Sequence, residues 1–293
     1  MDEETLFEMS VDTLDDLPSI KDIYDLSGKV AVVSGTVGLA LSVIYRLASC
    51  GAKVVFGARR ENLGQMVEDH LRQMGLEVRF HKLDASSVES CQEIVAFAEE
   101  TYGTVDIVVP VAAAFFARAF VDIKESEYDK IVDVDQKGQY FLVQAAARSM
   151  IRGGRGGKVV TVASVAYRGE DMPKLAMMTA YNSAKAGVVG MTRGIAKELK
   201  QYGINVNCVA PGGMVTPGAI FNNAATAALY GAEWTHYVTE YGSSVPVASN
   251  PDEIARMILT MCTPMSDFMY GQHIEVDGGS QYSFQDKPWS YTM

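Results

Sequence analysis

Seven short apolar runs, separated by stretches with helical periodicity, are the feature that most constrains the fold of this chain. The first run, Lys29–Ser34, is rich in β-branched residues and leads through glycines and a helical stretch to a second run, Ala52–Gly57. The other five runs are Val78–Asp84, Val105–Val109, Lys158–Ala163, Asn205–Ala210 and Gln272–Val276. Strands that alternate with helices, and that are apolar throughout because both faces are buried, predict a parallel sheet. We therefore expect a single α/β domain with a doubly wound, mostly parallel, seven-stranded sheet.

Residues typical of ligand sites follow several of these strands: Gly35, Ala58-Arg59, Asp84, Ala112, Ser164 and Pro211-Gly212. Parallel strands bring their carboxyl ends to one edge of the sheet, and open sheets of this kind bind ligands outside that edge. After the first strand, the glycines of Gly35–Ala40 would let the backbone approach a pyrophosphate at the N-terminus of the next helix. One glycine pair is a weak signal, but its place in a strand–turn–helix–strand unit strengthens the prediction of a nucleotide site.

Tyr181 and Lys185 stand four residues apart in a helix predicted over about residues 178–201, so they share one face of that helix. A neighbouring ammonium favours the phenolate by charge attraction, which lowers the pKa of a tyrosine toward neutrality. Such a tyrosine can exchange a proton with a carbonyl or alcohol oxygen near neutral pH. The pair alone fits an exposed tyrosine and lysine at helical spacing better than it fits catalysis, so its meaning depends on the rest of the chain.

Composition and charge exclude several classes of function. The 293 residues, 48% of them hydrophobic, are enough for one large core. A formal net charge of −11 argues against a nucleic-acid partner, because nucleic-acid-binding proteins present basic surfaces. Cys50, Cys91, Cys208 and Cys262 show neither paired spacing nor a histidine cluster, so we expect reduced thiols and no metal site. Because no signal-peptide pattern and no run of about 18 apolar residues occurs, we expect a cytoplasmic protein without a membrane partner.

Residues 1–27 differ from the rest of the chain, because nine carboxylates there face a single lysine, Lys21. We interpret them as an acidic N-terminal extension, in which residues 1–10 are a solvated tail. Apolar residues at helical spacing then predict a short amphipathic helix that packs on the body or on a neighbouring subunit; they are Leu14, Leu17, Ile20, Ile23 and Tyr24.

Several motifs, each in its expected element and order, give residues 27–280 a close resemblance to the short-chain dehydrogenase/reductase family. They are Tyr181-x-x-x-Lys185, Ser164 after the fifth strand, Pro211-Gly212 with Thr216 after the sixth strand, and Val276-Asp277-Gly278-Gly279. The resemblance implies a Rossmann-type dinucleotide-binding and catalytic domain over residues 28–293. It also implies that Tyr181 is the acid/base, that Lys185 lowers its pKa and binds the nicotinamide ribose, and that Ser164 holds the reacting oxygen. A strand-end serine alone is equally compatible with a turn cap.

The residues after the second strand indicate which cofactor binds. Dinucleotide folds that prefer NAD place an acidic residue there for the ribose 2′-OH. Ala58 is followed instead by Arg59 and Arg60, whose guanidinium groups suit a 2′-phosphate. We therefore expect NADP(H) rather than NAD(H), the alternative being that both arginines are solvated loop residues. The resemblance further assigns to the cofactor site Gly35, Thr36, Gly38, Leu39, Asp84, Ala85, Ala112, Pro211, Gly212 and Thr216, besides Tyr181 and Lys185. Asp84 could instead cap the helix that begins near Ser86.

The chain departs from the family's usual pattern at three places. The glycine loop usually reads Gly-x-x-x-Gly-x-Gly, whereas Gly35–Ala40 is one residue shorter and ends in alanine, which we expect to reshape cofactor binding. Pro110-Val111-Ala112-Ala113 replaces an Asn-Asn-Ala-Gly segment whose amides brace the sheet, so other contacts must hold that strand end. Asp135 replaces a helix asparagine that anchors a water beside the catalytic lysine. We count Asp135 among the catalytic residues and expect its carboxylate to favour the ammonium and partly offset its pull on Tyr181.

Residues 213–250 lie where the family keeps a variable substrate lid, and they are rich in apolar and aromatic side chains. Further large apolar residues follow the fourth strand or lie between Ser164 and Tyr181; they are Phe115, Phe116, Phe120, Met172, Leu175, Met177 and Met178. We expect a bulky apolar or alicyclic secondary alcohol or ketone, such as a hydroxysteroid, the alternative being that many of these side chains belong to the core. A ketose or polyol is the second candidate. A nucleotide-binding regulator or scaffold with little turnover is the alternative of another class. The resemblance also implies a homodimer or homotetramer.

Overall fold

A computed structural model of the chain describes residues 2–11, 14, 17–169, 177–230 and 249–279. Its strands are β1 (Val30–Ser34), β2 (Lys53–Ala58), β3 (Val78–Lys82), β4 (Ile107–Pro110), β5 (Gly157–Val162), β6 (Ile204–Pro211) and β7 (His273–Val276). They form one sheet in the order β3-β2-β1-β4-β5-β6-β7, and every neighbouring pair is parallel. The predicted seven-stranded, doubly wound sheet is therefore confirmed.

Ten helices are described, and those that connect the strands cover both faces of the sheet. The ten helices are α1 (Glu3–Val11), α2 (Ile20–Tyr24), α3 (Leu39–Ser49), α4 (Glu61–Gln73), α5 (Val88–Tyr102), α6 (Glu125–Val132), α7 (Gly138–Gly153), α8 (Thr179–Leu199), α9 (Pro217–Tyr230) and α10 (Pro251–Cys262). The helix predicted near 124–151 is divided into α6 and α7 by a π-helical turn, Asp133–Lys137. In this turn the amide of Gly138 donates to the carbonyl of Asp133, five residues earlier. Turns of this kind are frequent at functional sites.

The two faces of the sheet carry separate apolar cores, which explains why the strands lack an apolar–polar alternation. Ala31 and Val33 of β1 pack with residues of α3 and α10, whereas Val30 and Val32 pack with residues of α5 and α7. All five residues of β1 and all eight residues of β6 are buried. The central strands are therefore held rigidly, and the loops that leave their carboxyl ends are positioned by both cores.

The acidic segment at the N-terminus is helical in part, and its second helix contacts the body of the molecule. Helix α1 forms where a solvated tail was expected, and its Leu6 and Phe7 side chains are exposed. Helix α2 confirms part of the predicted amphipathic helix, and Ser19 begins it with a capping box to Asp22. Its last residue, Tyr24, hydrogen-bonds Thr260 of α10 through its hydroxyl, at 3.1 Å. Across the described ranges, no helix combines the length and apolarity that a membrane span requires.

The carboxyl ends of β1 and β4 mark the point where the chain order reverses across the sheet, which is where folds of this type bind their ligands. The pairing of β4 with β5 stops at Val108 and Val159, whereas β5 pairs with β6 as far as Val162 and Val209. The last residues of β5 therefore have a neighbouring strand on one side only. This opening faces the π-helical turn.

Candidate active site

Lys185 lies at the centre of the candidate site, on the face of α8 that packs against the sheet. Its side chain is 1% exposed, and its Nζ donates to the carbonyl of Val162 at 3.1 Å. The same Nζ lies 3.0 Å from Oδ1 of Asp135 and 5.4 Å from the centre of the Tyr181 ring. The structure thus brings Tyr181, Lys185 and Asp135 together, as the sequence predicted.

Asp135 projects from the π-helical turn, and its carboxylate has two partners. Oδ1 faces Lys185, and Oδ2 accepts from the amide of Ala114 at 2.8 Å. The Asp135 side chain is fully buried. The sequence led us to expect that this carboxylate favours the ammonium of Lys185, and the structure places the two groups in direct contact. The reason is the turn itself, because it directs Asp135 inward between α8 and the loop after β4.

Burial and charge act in opposite senses on this ion pair. Burial raises the pKa of Asp135, and attraction to Lys185 only partly opposes that shift. Burial would lower the pKa of Lys185, but Asp135, together with Tyr181 and Cys208, more than offsets that effect, so the pKa of Lys185 is raised. The first shift disfavours an ionised carboxyl and the second favours a charged amine. We take the ion pair as the state at neutral pH, because the charges are 3.0 Å apart and the Ala114 amide also favours the carboxylate.

Tyr181 lies in the first turn of α8 and is half-buried. Its ring meets the edge of Phe115 at 5.2 Å between centroids and an interplanar angle of 78°. Ile131, Ala180 and Ala184 pack behind it. These contacts fix the direction of the phenol while one side of the residue remains accessible, which a proton-transferring group requires.

Ser164 follows β5 and combines the two roles that the sequence left open. Its Oγ accepts from the amide of Ala166 at 3.2 Å and so begins the 3₁₀ turn Val165–Arg168. The hydroxyl proton is not used in that bond, so it remains available to a carbonyl oxygen. A turn cap and an oxygen-binding group are therefore compatible in the same side chain.

Gln139 is a buried polar residue that the sequence analysis missed. It is 2% exposed, and its side-chain amide bonds both backbone groups of Val162: Nε2 donates to the carbonyl at 2.8 Å, and Oε1 accepts from the amide at 3.1 Å. Nε2 also donates to the carbonyl of Asp135 at 3.0 Å. A signal was present in the sequence, because Gln139 is a polar residue at the start of the apolar face formed by Leu142, Val143 and Ala146 in α7.

The loop after β4 is held without the family's asparagines. The amide of Ala112 donates to Oγ of Ser34 at 2.9 Å, and the amide of Ala114 donates to Asp135. Ser34 is the last residue of β1 and is 2% exposed. The expectation that other contacts hold this strand end, next to Pro110, is thus confirmed.

The loop between β1 and α3 has the features of a phosphate cradle. Gly38 has φ +62° and ψ −129°, begins α3, and provides no side-chain cap to the first turn, where Leu39 and Ala40 lie. A Cβ on Gly38 would lie 3.2 Å from Thr216, and a Cβ on Gly35 would lie 2.6 Å from Cβ of Ala40. Ala40 thus fits because Gly35 has no side chain. The uncapped N–H groups at a helix N-terminus suit a pyrophosphate, so these residues fit a dinucleotide.

The residues expected around the adenosine half of a dinucleotide lie after β2 and β3. Arg59 and Arg60 are exposed, and within the described chain neither forms an ion pair. Oδ1 of Asp84 accepts from the amide and hydroxyl of Ser86 at 3.0 and 2.6 Å. The hydroxyl of Ser86 lowers the pKa of Asp84, and Arg59 adds to the shift by its charge. The cap of α5 is Ser87, so the alternative role of Asp84 as that cap is wrong.

The other residues assigned to the cofactor line the same edge of the sheet. Thr36 is buried behind the glycine loop. The carbonyl of Ala85 packs against Gly138 so closely that a Cβ there would lie 2.0 Å from its oxygen. Pro211 ends β6 opposite Val276, and the amide of Gly212 donates to the carbonyl of Val276 at 3.0 Å. Oγ1 of Thr216 accepts from the amide of Ala219 at the start of α9.

The described residues support only part of the expected substrate wall. Phe115 and Phe116 pack near Tyr181, whereas Phe120 is 72% exposed. Met178 is buried, and Met177 has φ 84° at the entrance to α8. Met172, Leu175 and the lid residues 231–248 lie outside the described residues. No cluster of metal-binding side chains occurs in the ranges that the structure describes.

Comparisons with known proteins agree with this geometry. A family model described as enoyl-(acyl carrier protein) reductase matches residues 33–281. Galactitol 2-dehydrogenase from Agrobacterium fabrum is 31% identical over 268 residues, which cover 88% of this chain and 99% of that protein. A short-chain type dehydrogenase/reductase from Mycobacterium marinum superposes with a TM-score of 0.79 at 28% identity, covering 89% of this chain and 99% of that one. An actinorhodin polyketide ketoreductase, solved with NADPH, has a TM-score of 0.79 at 27% identity, covering 86% of this chain and 97% of that one.

Proposed function

Because the chain belongs to the short-chain dehydrogenase/reductase family, we propose that it is an NADP(H)-dependent oxidoreductase that interconverts a secondary alcohol and a ketone. The observation that carries this proposal is the buried ammonium of Lys185, held between Asp135 and the Val162 carbonyl and 5.4 Å from the Tyr181 ring. A lysine whose side chain is only 1% exposed is costly to keep charged, and its carboxylate partner maintains that charge beside the phenol.

Three side chains would carry the proton transfer and hold the substrate oxygen. Tyr181 exchanges the proton with the substrate oxygen, and the ammonium of Lys185 favours the phenolate that remains after the proton leaves. Ser164 donates its hydroxyl proton to the same substrate oxygen and holds it in place. When bound, the nicotinamide supplies or accepts the hydride at the substrate carbon. Phe115 excludes water from one side of the phenol, which strengthens the electrostatic effect of Lys185.

The cofactor would lie along the carboxyl edge of the sheet. Gly35, Gly38 and the uncapped amides of α3 would hold its pyrophosphate. Arg59 and Arg60 are exposed at the end of β2, where a 2′-phosphate would need a cationic partner. Asp84 keeps one carboxylate oxygen clear of Ser86 and would contact the adenine side. These residues support NADP(H) over NAD(H).

We propose a bulky apolar or alicyclic ketone or alcohol as the substrate, because Phe115 and Phe116 present aromatic surface next to Tyr181. A polyol–ketose pair is the second candidate, and the similarity to a galactitol 2-dehydrogenase favours it. We also propose a homodimer or homotetramer, and light scattering would test it.

The experiment is a spectrophotometric assay of NADPH and NADH oxidation with panels of cyclic ketones and ketoses. Tyr181→Phe should lower the rate at least about 100-fold without loss of NADPH binding. Tyr202→Phe, the same change at an exposed site after α8, is the matched control and should have no effect. A faster rate with NADH would refute the cofactor proposal. Tight NADPH binding without turnover on any panel would favour a nucleotide-binding regulator or scaffold.

A further inference from the structure

At its carboxyl end, β5 lacks a neighbouring strand on one side, and a side chain occupies that position. β4 pairs with β5 only as far as Val159, but the amide of Ala163 still donates to the carbonyl of Val209 in β6. The backbone groups of Val162 therefore point to the side where a strand is absent. The carboxamide of Gln139 fills that position, and it donates to the carbonyl and accepts from the amide as a neighbouring strand would.

The same backbone carbonyl holds the catalytic lysine. The carbonyl oxygen of Val162 accepts from Gln139 at 2.8 Å and from Nζ of Lys185 at 3.1 Å. Gln139 also bonds the carbonyl of Asp135, whose carboxylate is the other partner of Lys185. One buried amide is thus linked to both groups that fix the ammonium, and Ser164 follows two residues after Val162 along the chain.

We propose that Gln139 is a positioning residue of the active site, which replaces the missing strand at Val162 and thereby places Lys185 and Ser164. The inference rests on the proposed oxidoreductase function and names a residue on which that site depends. Gln139 acts through Val162 and Asp135 and does not itself reach the substrate oxygen. The charged and titratable groups that face Lys185 are Asp135 on the π-helical turn, Tyr181 on α8 and Cys208 on β6.

The chemistry of the bonds sets what each replacement should do. The site needs one donor for the Val162 carbonyl and one acceptor for its amide, and a carboxamide supplies both. Leucine supplies neither, although it has a similar volume. An ionised glutamate accepts from the amide but faces the carbonyl without a proton. When protonated, glutamate restores the donor, and burial raises the pKa of a carboxyl, so this happens at accessible pH.

The kinetic test compares Gln139→Leu and Gln139→Glu with the unchanged protein. Gln139→Leu should lower kcat between about 10- and 100-fold, because small misplacement of a catalytic group has costs of this size. KM for the ketone should change less, and the pH profile of kcat should move, since Lys185 loses its fixed position. The kcat of Gln139→Glu, taken relative to the unchanged protein, should recover as the pH falls. Ser149→Ala is the control, because Ser149 is equally buried on α7 and bonds Glu99 at 2.6 Å, remote from Lys185.

A second measurement works without turnover, so failure of this inference can be distinguished from failure of the proposed function. In hydrogen exchange followed by NMR, the Val162 amide should lose protection in Gln139→Leu, while the Ala163 amide, bonded to β6, keeps it. Equal protection of the Val162 amide in both proteins would overturn the inference. So would a Gln139→Leu variant that loses stability but keeps the kcat and pH profile of the unchanged enzyme, or a Gln139→Glu variant that does not recover at low pH.

Discussion

The ion pair between Asp135 and Lys185 allows a quantitative prediction for Asp135→Asn. The variant keeps the size of the side chain but removes the charge. A carboxylate presents an oxygen both to the Ala114 amide and to the Lys185 ammonium, whereas an asparagine has one oxygen and must turn its NH₂ group toward one of these two donors. The change therefore places two donors against each other as well as removing a charge.

The structure sets the size of this cost. At 3.0 Å and an effective dielectric constant of about 20, the attraction is about 5 kcal/mol, which the desolvation of the two ions largely offsets. Removing one partner leaves the other charge buried without compensation, and such changes cost about 3–5 kcal/mol. We expect the free energy of unfolding to fall by about 3 kcal/mol near pH 7, because Lys185 can relieve part of the penalty by losing its proton.

The sign of the pH dependence follows from the lysine. In the unchanged protein the pKa of Lys185 is raised, so stability from this group is complete below its usual value of 10.5 and is lost only above it. In Asp135→Asn, burial loses its main opposing charge and the pKa of Lys185 falls. The unfolded chain then binds more protons than the folded one, so the stability of the variant rises as the pH approaches 10.5. Burial raises the pKa of the Cys208 thiol, so that neighbour contributes no charge.

Urea unfolding between pH 7 and 10 measures this difference in stability. In the pH profile of kcat, the loss of activity at alkaline pH should begin at a lower pH in Asp135→Asn than in the unchanged protein. Asp133→Asn is the matched control, because Asp133 lies in the same π-helical turn and pairs with Lys137 at the same 3.0 Å, but with both side chains substantially exposed. That pair is worth about 0.5 kcal/mol or less. Equal losses of stability in the two variants, or an unchanged pH profile in Asp135→Asn, would refute the reasoning.

Three further variants test other parts of the structure. Removing the guanidinium groups in Arg59→Ala/Arg60→Ala should reduce the ratio of kcat/KM for NADPH to that for NADH about 10- to 100-fold, whereas an unchanged ratio would contradict a role for either arginine. Gly38→Ala should weaken NADPH binding in calorimetry and cost about 1–3 kcal/mol of stability, because φ is +62° and the new Cβ would lie 3.2 Å from Thr216. Glu68→Gln should lower stability by about 1 kcal/mol in urea unfolding, because this buried carboxylate accepts from the Phe80 amide and faces two partly exposed arginines. Its NADPH affinity should not change, because Glu68 contacts Arg72, Arg79 and the Phe80 amide, and none of these is assigned to the cofactor site.

The fold was accessible from the sequence because strands buried on both faces have an unmistakable composition. Lys29–Ser34 and Asn205–Ala210 were predicted within one residue of β1 and β6 at each end. The meeting of Ser164, Tyr181 and Lys185 at one edge also follows from strand order and helical spacing. Their geometry confirms the spacing argument for Tyr181 and Lys185, although their catalytic roles remain predictions.

The π-helical turn could not be predicted, because nothing in its local propensities distinguishes it from the helices on either side. It forms where tertiary contacts satisfy inward side chains, Asp135 of the turn by Lys185 and Gln139 at the start of α7 by Val162. For this reason the sequence predicted that the charge of Asp135 would act on Lys185, but it predicted neither their direct contact nor the amide at Val162. The polar residue at position 139 was the available signal. Its role becomes clear only once the backbone groups of Val162 are known to lack a partner in a neighbouring strand.

The π-helical turn also makes the geometry of this site depend on the number of residues between α6 and α7. A π-helical turn holds one residue more than the α-helical turn that it replaces. Deleting Val134 would let α6 and α7 merge into one regular helix, and Asp135 would lose the turn that directs its carboxylate toward Lys185. A change of one residue in length, with Asp135 and Gln139 both retained, would thus remove one of the two supports of the lysine.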